Sequence, residues 1–253
     1  MKWLSPLCLF LCWTMLPALA QSDLTTENGW SYEVLQSGSG PSVTAEHAFL
    51  NHNRLIDDNG QVLVSTYALG VPDYQLTAEL SAPFQTACMV LQAGGKYRFH
   101  IPVDDFKAAT RGGAKLQLPG KEVRWEVEVL RVLPAKPDVA KVVAQVYKDE
   151  GPEDAFNRFQ DLRSQRSGEV YFGEWEVNQL GYFFLNNGQV DQAIDIFKYN
   201  AQAHPNSFNA HDSLAEAYHQ AGNELLAAQH YRRSLQLNPK NENAKKMLGK
   251  LRN

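Results

Sequence analysis

The residues in this chain whose types could do chemistry are its seven histidines, a cysteine at position 88 and several paired carboxylates. A zinc site needs three or four ligands at constrained spacing. His47 and His52 are five apart on a strand-like run, which puts them on opposite faces, and no cysteine partners them. His204, His211, His219 and His230 fall in or between helical segments without a shared i,i+4 face. No metal site is expected. Gly38-Ser39-Gly40 has the wrong flanking spacing for a nucleophile elbow and reads as a turn. Asp57-Asp58 and Asp104-Asp105 read as turns too, where aspartate serves the backbone. Cys88 lies between Ala87 and Met89-Val90-Leu91, on what reads as a buried helix face, so it reads as core. Without a phosphate loop or dinucleotide fingerprint, no cofactor is expected.

The start of the chain speaks to compartment. Lys2 precedes an almost wholly apolar run at 4–16, Pro17 breaks it, and Ala18-Leu19-Ala20 offers small residues for a peptidase. This is the pattern of a secretory signal peptide over 1–20, cleaved before Gln21. The run is shorter than the ~20 residues a spanning helix needs, and nothing later could cross a bilayer. Cys8 and Cys12 leave with the leader, so an intrachain disulfide is excluded from the mature protein. The expected location is secreted, and periplasmic if the cell has an outer membrane. With a formal net charge of −4 and no basic face, nucleic acid is not an expected partner.

The elements that follow change period halfway. In the first half, Lys96-Tyr97-Arg98-Phe99-His100-Ile101 and Arg124-Trp125-Glu126-Val127-Glu128-Val129 alternate charged with apolar residues, as half-buried antiparallel strands do. Asp57-Asp58-Asn59-Gly60 predicts a hairpin turn between a strand at 47–56 and Val62-Leu63-Val64. One helix is expected at 83–92, ending at Gly94-Gly95. The class predicted is α+β: a mostly antiparallel sheet with one helix against it, over 21–134.

Pro134 to Pro137 makes a short stiff linker, after which apolar residues recur at helical spacing over 138–170. Beyond Gly173 the chain repeats. Leu180, Gly181, Phe184, Ala193, Phe197 and Pro205 are each answered 34 residues later, by Leu214, Ala215, Tyr218, Ala227, Tyr231 and Pro239. That period and that set of residues are the tetratricopeptide pattern, a helical hairpin closed by small residues and locked by aromatics. Two such repeats, about 174–207 and 208–241, are expected within 173–253, capped by a helix from 241 to 251. In such a stack the first helix of each pair lines a concave groove. The groove positions are Trp175, Asn178, Tyr182 and Asn186, then Asn209, Asp212, Glu216 and His219. Aromatic and amide groups of this kind suit an extended peptide or a partner's helix.

The first half resembles the FKBP-type peptidyl-prolyl isomerases over residues 30–133. The strand-and-turn YEVLQSGSGP, the hairpin RLIDDNGQVLVST, the segment LQAGGKYRFHIP and the closing strand LPGKEVRWEVEVLRVL occur in that family's order. The resemblance implies an apolar pocket that takes a proline-containing segment. Rotation about an X-Pro bond crosses ~18–20 kcal/mol, and the twisted amide is less polar than the planar one, so a water-stripping cleft favours it. Carried over residue by residue, the family's pocket-floor tryptophan falls on Phe84 and its last-strand phenylalanine on Trp125. The phenylalanine-aspartate pair after the hairpin falls on Leu63-Val64, and the early-strand tyrosine falls near Asn51. The hydrogen-bonding tyrosine falls on Lys107, or on Phe106 with a one-residue shift, and the late-loop residues on Leu116 and Gln117. The implied prolyl pocket is therefore Phe84, Trp125, Leu63, Phe106 and Leu116, with the apolar floor kept and the family's polar rim largely lost.

Two functions follow from the sequence. One is an exported folding factor and chaperone with reduced isomerase (rotamase) activity, acting on proline-containing clients or an envelope protein partner. The other is a non-catalytic adaptor that recognises its partner through the repeats alone.

Overall fold

A computed structural model of the chain describes residues 24–110, 115, 117–165 and 168–251. The leader expected at 1–20 and the pocket candidate Leu116 lie outside the described residues.

The alternating first half forms one antiparallel sheet. Its strands are β1 (Leu24–Thr25), β2 (Ser31–Gln36), β3 (His47–Asp57), β4 (Val62–Ser65), β5 (Asp73–Leu76), β6 (Lys96–Pro102) and β7 (Glu122–Pro134). The order across it is β1-β2-β6-β7-β3-β4, and β5 shares the outer edge of β3 with β4. Period-two alternation sorts the faces. Tyr97, Phe99, Ile101, Val123, Val127 and Val129 point into a core with Phe49, Ala87, Cys88 and Leu91. On the other face, Glu33, Arg98, Glu126 and Arg54 stand directly opposite one another across β2, β6, β7 and β3. The charges alternate along this row: Arg98 bonds Glu33 at 3.2 Å and Glu126 at 2.8 Å, and Arg54 reaches Glu126 at 2.6 Å. Such a ladder pins register, since slipping one strand would set like charges opposite or bury them.

The hairpin turn is where the sequence puts it. Gly60 takes φ +84° and donates to the Asp57 carbonyl at 3.0 Å, while Asp57 Oδ1 accepts from the Gln61 amide. Two helices pack on the sheet rather than one. The first, α1 (Ala82–Cys88), stops short of the expected 83–92, because the chain beyond it is drawn into other bonds. The Leu91 carbonyl accepts from Val43, and Gly94 and Gly95 bond Val129 of β7. The second, α2 (Val103–Ala109), was unexpected. Asp104 and Asp105 sit in its first turn, not in a loop, where carboxylates complement the helix's exposed N–H groups.

The second half is helical throughout: α3 (Val139–Asp149), α4 (Pro152–Gln165), α5 (Glu174–Asn186), α6 (Val190–Ala203), α7 (Phe208–Gln220), α8 (Glu224–Leu237) and α9 (Glu242–Lys250). The hairpins α5/α6 and α7/α8 start 34 residues apart, at 174 and 208. A Cβ on Gly181 would stand 2.4 Å from the Phe197 ring, so only glycine lets α5 and α6 close this far. α3 packs on α5 and α9 on α8, which flanks the hairpin pair on both sides with one continuous apolar core.

The halves are tied together. Tyr74 of β5 stacks on Tyr171 with ring centroids 3.8 Å apart, and its hydroxyl donates to the Lys136 carbonyl at 2.9 Å. Asp138 caps α3 by accepting from the Lys141 amide, and the Lys141 ammonium pairs with Glu79 of the first half. Among the described residues no helix is long and apolar enough to cross a membrane.

Candidate functional site

A cleft of about 290 Å³ opens between the end of the sheet and the two short helices. α1 supplies Phe84, β7 supplies Trp125 and α2 supplies Phe106, so three of the five sequence candidates come together here. Phe84 is the centre of the cluster. It meets Trp30, Trp125 and Phe106 edge-to-face, at centroid distances of 5.1, 5.5 and 6.2 Å. Trp125 in turn stacks on Phe99 at 5.2 Å. Aromatic pairs in these geometries hold each ring's orientation as well as burying it. Trp30 is almost wholly buried, and its indole N–H donates to Asp105 Oδ2 at 3.1 Å, which fixes α2, and with it Phe106, against α1.

Leu63 is not among the residues facing this cleft; Val64 is, and it is 56% exposed. The reason is a bulge. Leu55 pairs with Val64 and Ile56 with Val62, which leaves Leu63 as the extra residue and Val64 on the face that borders the cleft. Of the two alternatives for that position, Phe106 lines the cleft and Lys107 does not. Cys88 is fully buried and burial pushes its thiol up, so it has no nucleophilic character.

The opposite wall is polar, and the sequence reading missed most of it. Asn51 and Asn53 of β3 and Asp73 and Gln75 of β5 all face the cleft. Asn53 Nδ2 donates to Asn51 Oδ1 at 2.8 Å, and Asn51 Nδ2 donates to the Asp73 carbonyl at 3.2 Å. Burial pushes the Asp73 carboxyl up, against the opposing bond from Asn53. The signal was present: 51, 53 and 55 and then 73 and 75 are period-two positions, and paired strands place them side by side. The cleft therefore has an aromatic floor and a carboxamide wall, which suits a peptide's apolar side chain and its backbone together. None of its residues forms a set able to hold a metal, and among the described residues no such group occurs anywhere.

From Asn53, Val64 and Asp73 the surface continues into a second cleft of about 220 Å³, closed on its far side by Trp175 of α5. Trp175 thus belongs to the junction between the halves. The other groove candidates divide. Tyr182, Asp212 and Glu216 meet: the Tyr182 hydroxyl donates to Glu216 Oε2 at 2.7 Å, and Asn243 Nδ2 lies 2.7 Å from both Asp212 Oδ2 and Glu216 Oε1. Asn178 is buried on α5 one turn before Tyr182, and Asn209 is half-buried at the start of α7. Asn186 is exposed at the far end of α5. His219 is turned away to pair with Glu224 at 3.1 Å. Of the histidines set aside as metal ligands, two do meet: His211 and His230 stack, with Nδ1 atoms 3.2 Å apart.

No family model matches this chain, and no curated protein matches it. Solved structures similar to it include FkpA from Escherichia coli, at 22% identity and a TM-score of 0.38, over 44% of this chain and 52% of that one. A peptidyl-prolyl cis-trans isomerase from Pseudomonas syringae pv. tomato is 20% identical, with a TM-score of 0.37, over 44% of this chain and 80% of its own. A multi-domain immunophilin from Arabidopsis thaliana is 13% identical, with a TM-score of 0.36, over 81% of this chain and 93% of that one. The chain spans about half the length of the first of these structures.

Proposed function

We propose that the cleft around Phe84 binds proline-containing polypeptide segments and accelerates their cis/trans isomerisation, within an exported folding factor whose helical half holds the client. The observation that carries this reading is the enclosure of one open-faced cleft by Phe84, Phe106 and Trp125, with no nucleophile or metal set beside it. A proline ring laid on these edges loses its water, and the less polar twisted amide gains relative to the planar one. The Asn51, Asn53 and Gln75 amides supply the dipoles that can hold the flanking backbone. The resemblance carried by residues 30–133 supports the same substrate, and the leader-like pattern at 1–20 supports export.

A second reading has its own observation. The Asn51 and Asn53 amides already bond to each other and to Asp73, so the cleft has few free donors for a rotating carbonyl. That favours binding without catalysis. Titrating labelled protein with a capped Ala-Leu-Pro-Phe peptide and its Ala-Leu-Ala-Phe counterpart tests the shared part of both. The proline peptide should move the resonances of Phe84 and Trp125 and the alanine peptide should not; equal effects, or none, would sink the prolyl cleft.

A further inference from the structure

On its face toward α5, α7 carries a pair of carboxylates with no cationic partner among the described residues. Asp212 and Glu216 are one turn apart on α7, on the same face. All four of their oxygens are engaged by neutral donors. Asn241 Nδ2 donates to Asp212 Oδ1 at 2.9 Å, Asn243 Nδ2 lies 2.7 Å from Asp212 Oδ2 and from Glu216 Oε1, and Tyr182 donates to Glu216 Oε2 at 2.7 Å. Among the described residues the ion pairs within this half go to Asp138, Glu174, Asp195, Glu224 and Glu242 instead. Among the described residues no lysine, arginine or histidine pairs with Asp212 or Glu216. Burial pushes the Asp212 carboxyl up and the nearby Glu216 charge adds to it, while Asn243 and Asn241 oppose.

Two further buried polar groups, on α8 and α5, have no hydrogen-bond partner. The Tyr231 side chain of α8 is fully buried, its hydroxyl has no hydrogen-bond partner, and the fields of Glu216 and Asp212 both act on it. Asn178 is 4% exposed, and its Oδ1 is an acceptor with no donor, one turn before Tyr182 on the α5 face that meets α7. A buried acceptor left unpaired is costly, so its persistence marks a place for a donor. Carboxylates fixed by amides, beside an unpaired carbonyl oxygen, make a receptor for a group with several N–H donors and a positive charge. A metal ion fits poorly, because no cluster of three His, Cys, Asp or Glu side chains is present among the described residues.

We propose that Asp212, Glu216 and Asn178 form a subsite for a lysine or arginine side chain of a polypeptide held in the helical groove. This rests on the reading of that groove as a client site, and it adds the chemistry of one client residue. The positive side chain would take the two carboxylates, and its remaining N–H groups would meet the Asn178 oxygen.

The test is affinity selection by the purified protein from decapeptides with acetylated and amidated ends, one position fixed and the others randomised. Arginine and lysine at the fixed position should be enriched about tenfold over citrulline and acetyl-lysine. Glu216→Gln and Asp212→Asn should abolish the enrichment while the circular-dichroism spectrum at the assay temperature stays that of the folded protein. Glu216→Lys should turn the preference toward glutamate, a reversal that misfolding does not produce. No peptide retained, no enrichment, or enrichment that survives these substitutions would overturn the subsite. Loss of prolyl binding with the enrichment intact would overturn the aromatic cleft instead, so the two failures are distinct.

Discussion

Glu126 has a side chain only 2% exposed, held between Arg54 and Arg98. Removing it would leave Arg54 without its carboxylate and Arg98 with Glu33 alone. Glu126→Ala is expected to cost about 2 kcal/mol in urea unfolding, less than a fully buried pair would because Arg54 and Arg98 still reach water. Glu176 is a different case. Burial at the junction, with Asp138 and Asp73 nearby, pushes its carboxyl up to about 8. An acid raised in the folded state binds a proton that the unfolded chain has lost, so stability should fall as pH rises from about 4.5 to about 8. Thermal melts across that range should show this slope, and Glu176→Gln should flatten it. At this scale the aromatic floor was legible, since Phe84 and Trp125 are large apolar residues at readable positions. Leu63 was not placed correctly, because one bulged residue exchanges the faces of a strand and leaves no mark on its composition.

Elements were read best where a period repeats. The hairpins α5/α6 and α7/α8 follow the spacing of Leu180, Gly181 and Phe197 against Leu214, Ala215 and Tyr231. Gly181→Val should destabilise by about 3 kcal/mol, since the Phe197 ring is fully buried and has nowhere to move. The same change at Gly249, where nothing lies within 4 Å, should be nearly neutral, and a paired set of melts distinguishes them. Short elements were harder. α2 has too few residues for a periodic signal, and β5 is recognisable only once its pairing with β3 is known. The polar wall of the cleft was hidden for that reason: Asn51 and Asp73 are far apart in sequence and become neighbours through pairing.

Across the whole molecule, protonation acts in opposite directions at the junction around Glu176 and at the His211–His230 contact. His230 is held down to about 4 by burial and by the adjacent His211. A histidine depressed in the folded state gives its full stability above about 6.5 and loses it as pH falls toward 4. Local opening of α7 and α8 around His230 should therefore increase as pH falls toward 4, read as faster hydrogen exchange there, and His230→Gln should remove that acid sensitivity. The sheet's cleft and the helical half meet through Trp175 and Tyr171. The central claim still concerns the cleft. A protease-free isomerisation assay on a proline tetrapeptide, read against the spontaneous rate, tests it most directly. The account predicts acceleration that Phe84→Ala and Trp125→Ala each lower about tenfold, or about 1.4 kcal/mol, while Phe84→Leu retains part of it. A wild-type rate equal to the spontaneous one would contradict it.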